Sequence, residues 1–351
     1  MMWIMGGDAV ANGLGQMNGG RAFRAFAAQF EHVDWAGYHF YDLIFPLFVF
    51  MIGVSITFSL GRMVAAEGRA SAVRRVLRRT LLLYVLGLFY YGGLDGAVSH
   101  IRLMGVLQRL ALCYGAAGLL YIFFRPRVLV AAFVALLVGY WALLRFVPVP
   151  VWGAGDFAEG HNLTNWIDQR YLPWRKWDGD HDPEGILSTF PAIASCLLGV
   201  FSGLLLRDPA RTENRNAALI AGLGAASLVL GLLWSLEFPI IKKIWTSSFV
   251  LVAGGWSMIF LSLFYTVIDI WKVSRWSTPF VWIGTNALAI YVISEISDFG
   301  KLASRFVGGD VGAWLDAHWT GSSGLMTGLV SVLLCMALGR FLYRRKLFLR
   351  L

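Results

Sequence analysis

Charge is sparse in this chain. Asp, Glu, Lys and Arg make up 15% of its 351 residues, whereas a soluble globular protein carries about 25%. Too little polar side chain is present to coat a water-facing surface, which excludes a pair of soluble domains despite adequate length. Cysteine is scarcer still. Cys113, Cys196 and Cys335 all fall within apolar stretches, and an odd number placed there argues against a disulfide framework or a zinc site. They read as small apolar packing residues. No P-loop, dinucleotide fingerprint, Gly-x-Ser-x-Gly elbow or His-Glu-x-x-His motif occurs, and there is no short-period repeat, low-complexity tract or appended soluble domain.

What the chain does have is apolar length. Hydrophobic residues are 58% of it, and the mean hydropathy is +0.64. A membrane-crossing helix needs about 20 mostly apolar residues. Such runs lie near 42–61, 77–93, 103–123, 128–147, 186–206, 216–236, 247–268, 279–296 and 323–343, with a shorter apolar piece over 1–17. Backbone polar groups must pair internally in lipid, so the spans are helical. The expected fold is an all-α, polytopic membrane helix bundle of about ten transmembrane helices, the first one truncated. It is expected to form one domain over 1–351, with segment 148–185 as a cap over an outer pocket.

The connecting segments sort by charge. Segments 62–79, 125–127, 207–215, 269–276 and 340–350 hold 18 Lys and Arg against four acids, whereas the rest of the chain holds 12 against 17. The basic set falls on every second connection, as cytosolic loops should. Both termini are therefore expected in the cytosol, with 17–40, 94–102, 148–185, 237–246 and 297–322 outside. The formal net charge of +9 is thus a topology signal. Spread over short loops, it does not indicate nucleic-acid binding. The Arg62–Arg79 run suits anionic lipid headgroups, or equally the phosphates of a cytosolic cofactor. The N-terminal Met1-Met2-Trp3-Ile4-Met5-Gly6-Gly7-Asp8 lacks the basic start of a signal peptide. It reads as the outer half of a transmembrane helix.

Ionisable groups at membrane depth are costly and usually functional. Arg109, with Gln108 beside it, is expected about two turns into the third full span, either facing a site or snorkelling to the outer interface. Asp8 and Asp42 bracket the outer ends of the partial span and the next one. For Asp42, favourable placement near a helix N-terminus is the alternative to a site role. Asn286 and Glu295 lie in the eighth full span, where Asn286 serves either a site or a contact between helices. Among the loop histidines (His39, His161, His181 and His318 included), His32 stands ahead because acids and a tryptophan flank it near the membrane surface. The acid-rich tract Asp178–Glu184 resembles a hard-cation loop. It lacks the turn glycine and the closing glutamate, so no metal is expected there. Its end, Glu184-Gly185-Ile186-Leu187, reads as a helix start.

His32-Val33-Asp34-Trp35-Ala36-Gly37, followed by the run from Asp42 to Ile56, resembles the heparan-α-glucosaminide N-acetyltransferase family and its bacterial relatives. The likeness continues at Gly105–Leu110, Asp182–Leu187, Lys242 with Trp245–Ser248, and Asn286–Glu295, in order over nearly the whole chain. The resemblance implies a multi-pass protein of the inner (cytoplasmic) membrane. It would transfer an acetyl group from cytosolic acetyl-CoA to an amino sugar or glycan on the far side. His32 matches the family's active histidine, and Asp8 stands where relatives place an Asn or an acid. Asp42, Gln108, Arg109, Glu184, Lys242, Asn286 and Glu295 are carried as supporting positions, with no metal. Membrane lipid is the expected surrounding, and a homodimer stays open. The alternative to transfer is an amino-sugar or N-acetylglucosamine-related permease using the same polar residues as a binding site.

Overall fold

The computed structural model describes residues 3–17, 20–93 and 96–349, with the side chains of residues 3, 17, 295 and 296 outside that description. In chain order the helices are α1 (Asp8–Met17), α2 (Arg21–Ala28), α3 (Ile44–Glu67), α4 (Arg69–Tyr90), α5 (Val106–Phe123), α6 (Pro126–Phe146), α7 (Leu163–Tyr171) and α8 (Thr189–Leu206). They continue with α9 (Glu213–Trp234), α10 (Ser247–Phe264), α11 (Thr278–Gly284), α12 (Ala287–Ser297), α13 (Phe299–Val307), α14 (Gly309–His318) and α15 (Ser322–Arg344). Among the described residues there is no strand, only two isolated bridges, Ala36 with Ile241 and Val149 with Gly153. The all-α expectation is borne out.

Seven helical segments among the described residues are long and apolar enough to cross a membrane: Phe40–Glu67, Val106–Phe123, Pro126–Phe146, Thr189–Leu206, Glu213–Trp234, Ser247–Ile270 and Ser322–Arg344. Two expected spans differ. The one at 77–93 is the second half of α4, whose first half carries Arg69, Arg74, Arg75, Arg78 and Arg79. The one at 279–296 is broken into α11 and α12 around Thr285 and Asn286.

The chain forms two compact units. One comprises residues 33–38 and 42–271, and the other residues 1–32, 39–41 and 272–351. In the first, α3 and α8 cross at backbone contact. A Cβ on Gly53 would land on the Cys196 carbonyl, and one on Gly199 would land on the Phe50 carbonyl. Small residues at a crossing allow this close approach, the usual packing device between helices in lipid. The core around them includes Phe50, Leu60, Leu197 and Phe249, all buried. Cys113 and Cys196 are free and lie in this core.

α4 shows how the pattern is turned inside out. Leu77, Leu81, Val85 and Phe89 form an exposed apolar stripe at every fourth residue, while Ala72, Val76, Leu83 and Gly87 are buried. An exposed apolar stripe of this length suits lipid, not water. Helix starts follow ordinary capping: Asn162, Thr212 and Thr246 each accept a backbone N–H from the third residue beyond. Pro126 opens α6, where a missing N–H costs nothing. In the second unit, α1 lies along α15. A Cβ on Gly13 would meet the Leu325 backbone, as one on Gly328 would meet Val10.

Candidate functional site

In the unit formed by 33–38 and 42–271, a charged centre is built where α5 and α8 begin and the 147–188 segment folds back. α5 starts at Val106 after the extended Gly105. Gln108 and Arg109 therefore lie in its first turn, one turn shallower than the sequence suggested. Even so, Arg109 is fully buried. It faces inward and does not snorkel. Its Nη2 donates to the Gly185 carbonyl at 3.3 Å and to the Ser188 hydroxyl, and its guanidinium lies 4.9 Å over the Trp245 ring. Nε and Nη1 of Arg109 have no hydrogen-bond partner.

Next to it is a cluster that the sequence reading largely missed. Arg102, 3% exposed, grips Asp182 through two parallel bonds, Nε to Oδ2 at 2.8 Å and Nη2 to Oδ1 at 2.7 Å. The same Nη2 donates to Glu184 at 2.6 Å. Tyr91 and Trp177 place their rings 4.4 and 4.9 Å from the guanidinium, which favours the cation. Gln108 donates to the Arg102 carbonyl at 3.2 Å. Burial works against the Arg102 charge, but the Asp182 hydrogen bonds and the field of Glu184 outweigh it and hold the group above the ordinary arginine range.

Asp182 also accepts the backbone N–H groups of Trp177 and Glu184. Buried Asp168, on the short helix α7, accepts the N–H of Ile186 at 2.9 Å. Burial pushes the Asp168 carboxyl up to about 6 despite that bond. A Cβ on Gly185 would land inside the same carboxylate, so the turn from Asp182 to Leu187 closes only over glycine. Glu184, Gln108 and Arg109, read separately from the sequence, thus lie in one centre, which Arg102, Asp168 and Asp182 complete.

Asp42 and Lys242 are also brought together. Buried Asp42 lies 3.3 Å from Lys242 Nζ. Burial lowers the Lys242 pKa, opposed by Asp42 and, further off, by Glu184. The segment before Asp42 is fastened down: Gly37 N–H donates to the Ile240 carbonyl at 2.9 Å and Trp35 Nε1 to the Phe157 carbonyl at 2.9 Å. Gly37 has φ of +133°, a region in which side-chain-bearing residues are strained. The Trp35-x-Gly37 part of the motif therefore has a backbone reason.

In the other unit, exposed His32 sets its ring 4.6 Å from that of Tyr41. Tyr41 Oη donates to Asp8 at 3.4 Å, and Asp8 accepts the N–H of Ala9 at the start of α1. His32, Tyr41 and Asp8 thus form a linked row, and Tyr41 is the member that sequence reasoning missed. Asn286 is buried at the break between α11 and α12, and neither its amide oxygen nor its nitrogen finds a partner. The side chain of Glu295 lies outside the described residues.

Fold and centre define a helical membrane protein with a buried, ion-paired centre. No family model matches the chain. It is homologous to the heparan-alpha-glucosaminide N-acetyltransferase of Homo sapiens, 28% identical over 330 aligned positions covering 76% of this chain and 49% of that protein. The protein of the same name from Mus musculus is 27% identical over 388 aligned positions, covering 91% of this chain and 56% of that one. The resemblance read from the sequence is borne out, and the chain spans about half the length of the curated relatives it matches.

Proposed function

We propose that this chain is a transmembrane acyltransferase. It moves an acetyl group from cytosolic acetyl-CoA to the amine of an amino sugar, glucosamine-like, at the outer face of the cytoplasmic membrane. Homology to N-acetyltransferases over most of the chain carries this reading. We read α4, the α11–α12 pair and the helix over 3–17 as three further crossings, giving ten. Both termini are then cytosolic, and segment 148–185 caps the outer side.

A thioester is already activated. The protein must place the amine, accept its proton and stabilise the oxyanion that forms at the carbonyl. His32 is the residue for the second task, since histidine is the commonest general base; alternatively it carries the acetyl group itself. Asp8, through Tyr41, positions that ring. Arg109 and Asn286 offer buried donors without partners, suited to electrostatic support. Arg62, Arg69, Arg74, Arg75 and Arg78 are exposed and would hold the polyphosphate of acetyl-CoA.

The test is transfer against transport. The purified chain, reconstituted in liposomes, receives radiolabelled acetyl-CoA and glucosamine. N-acetylated product that depends on acetyl-CoA is expected. Glucosamine uptake without any acyl donor, and no product, would instead establish the permease.

A further inference from the structure

The loop between α6 and α8 carries a second cluster apart from the charged centre. Glu159 precedes α7, whereas Asp178 and His181 follow it. One donor atom of each lies within 4.8 Å of the others. His181 is 4% exposed. Its Nδ1 is 2.6 Å from the Asp180 carboxylate, so in the neutral ring the proton belongs on that nitrogen. In that neutral tautomer Nε2 carries the lone pair and faces two carboxylates: Glu159 Oε1 at 3.5 Å and Asp178 Oδ2 at 3.8 Å. His181 Nε2 makes no hydrogen bond, and Asp178 Oδ2 has the Lys243 ammonium 3.2 Å away.

An imidazole lone pair facing two anions is favourable only with a proton or a metal ion between them, and the Lys243 ammonium offsets part of the carboxylate charge. The spacing suits a metal ion. Ligands about 2.0–2.1 Å from a tetrahedral zinc ion are separated by roughly 3.3 Å, close to the two measured edges. The histidine–carboxylate pairing behind the site is the usual support of a metal-bound imidazole.

We propose that Glu159, Asp178 and His181 bind one divalent transition-metal ion of the zinc class, tying together the segments on either side of α7. The acid-rich tract alone read as a poor hard-cation loop. Folding changes its chemistry by burying the tract's own His181 and adding the Glu159 carboxylate from the far side of α7. Lys243 is the built-in competitor. Its ammonium lies 3.0 Å from Glu159 and 3.2 Å from Asp178, and its partly exposed, flexible stem can swing out when the metal enters.

The full chain, purified without a histidine tag and stripped with chelator, is titrated with zinc ion by calorimetry and with cobalt ion by visible absorption. One equivalent of zinc per chain is expected, with a cobalt spectrum of a four-coordinate site. Asp178→Asn should weaken binding at least tenfold, and Asp180→Asn by about 10–100-fold. Lys243→Gln should tighten it by about tenfold, a gain that loss of folding cannot mimic. Absence of a zinc equivalent in the wild type, or Lys243→Gln and Asp178→Asn titrating like the wild type, would overturn the proposal.

Discussion

Arg102 and Asp182, eighty positions apart, close a two-bond fork in which both side chains are almost completely buried. This fork joins the entry to α5 with the entry to α8 and fixes the turn on which Glu184 and Gly185 sit.

Removing one partner of a buried pair leaves a charge without compensation, at a cost of about 3–5 kcal/mol. Arg102→Met should therefore lower the melting temperature in detergent by many degrees. Arg102→Lys should fall between it and the wild type, since lysine keeps the charge but not the planar fork. A wild-type melting curve for Arg102→Met would contradict this role.

Gly185→Ala should destabilise by about 2 kcal/mol or more, because the added methyl collides with the Asp168 carboxylate. Gly185 has no positive φ, so the collision acts alone; Ala at Gly139, which likewise lacks a positive φ and has nothing near a Cβ, is the control. Equal losses from the two substitutions would count against the collision.

Asp168 gives a pH signature. Its carboxyl is raised from 3.8 to about 6 by burial, so between these values the folded chain binds more protons than the unfolded one. Stability should then fall as pH rises from about 4 to 6, by up to roughly 3 kcal/mol from this group. Asp168→Asn should flatten that slope in thermal unfolding at stepped pH. An unchanged slope would show that the carboxyl does not titrate there.

Much of the fold was legible because a lipid-facing helix must be long and apolar, and seven spans are so. α4 was legible only in its second half, since its arginines fill the first. The break at Asn286 was not legible: nothing in Gly284-Thr285-Asn286 demands it, and an asparagine in an apolar run also serves between unbroken helices. Arg109 and Gln108 stood out because an apolar stretch makes polar residues conspicuous. Arg102, Asp168 and Asp182 did not, because charged residues in a loop look solvated until the chain folds back on itself. Asp182 at least lay in a tract already marked as acid-rich, and Tyr41 had no distinguishing signal.

Arg109 offers a test of the buried centre in catalysis. If its two partnerless donors support the transferring group, Arg109→Gln should lower kcat/KM about 100-fold, on the scale of a lost oxyanion donor. Arg109→Lys should recover part of it. Full activity in Arg109→Gln would restrict this residue to holding the Gly185 turn.

The proposed role of His32 is measured most directly by acetyl transfer from acetyl-CoA to glucosamine by wild type and His32→Ala. The ring is exposed, so the variant should melt like the wild type while kcat/KM drops by about 10²–10⁴-fold, the span of a general base. A folded His32→Ala enzyme that transfers acetyl at the wild-type rate would contradict the account.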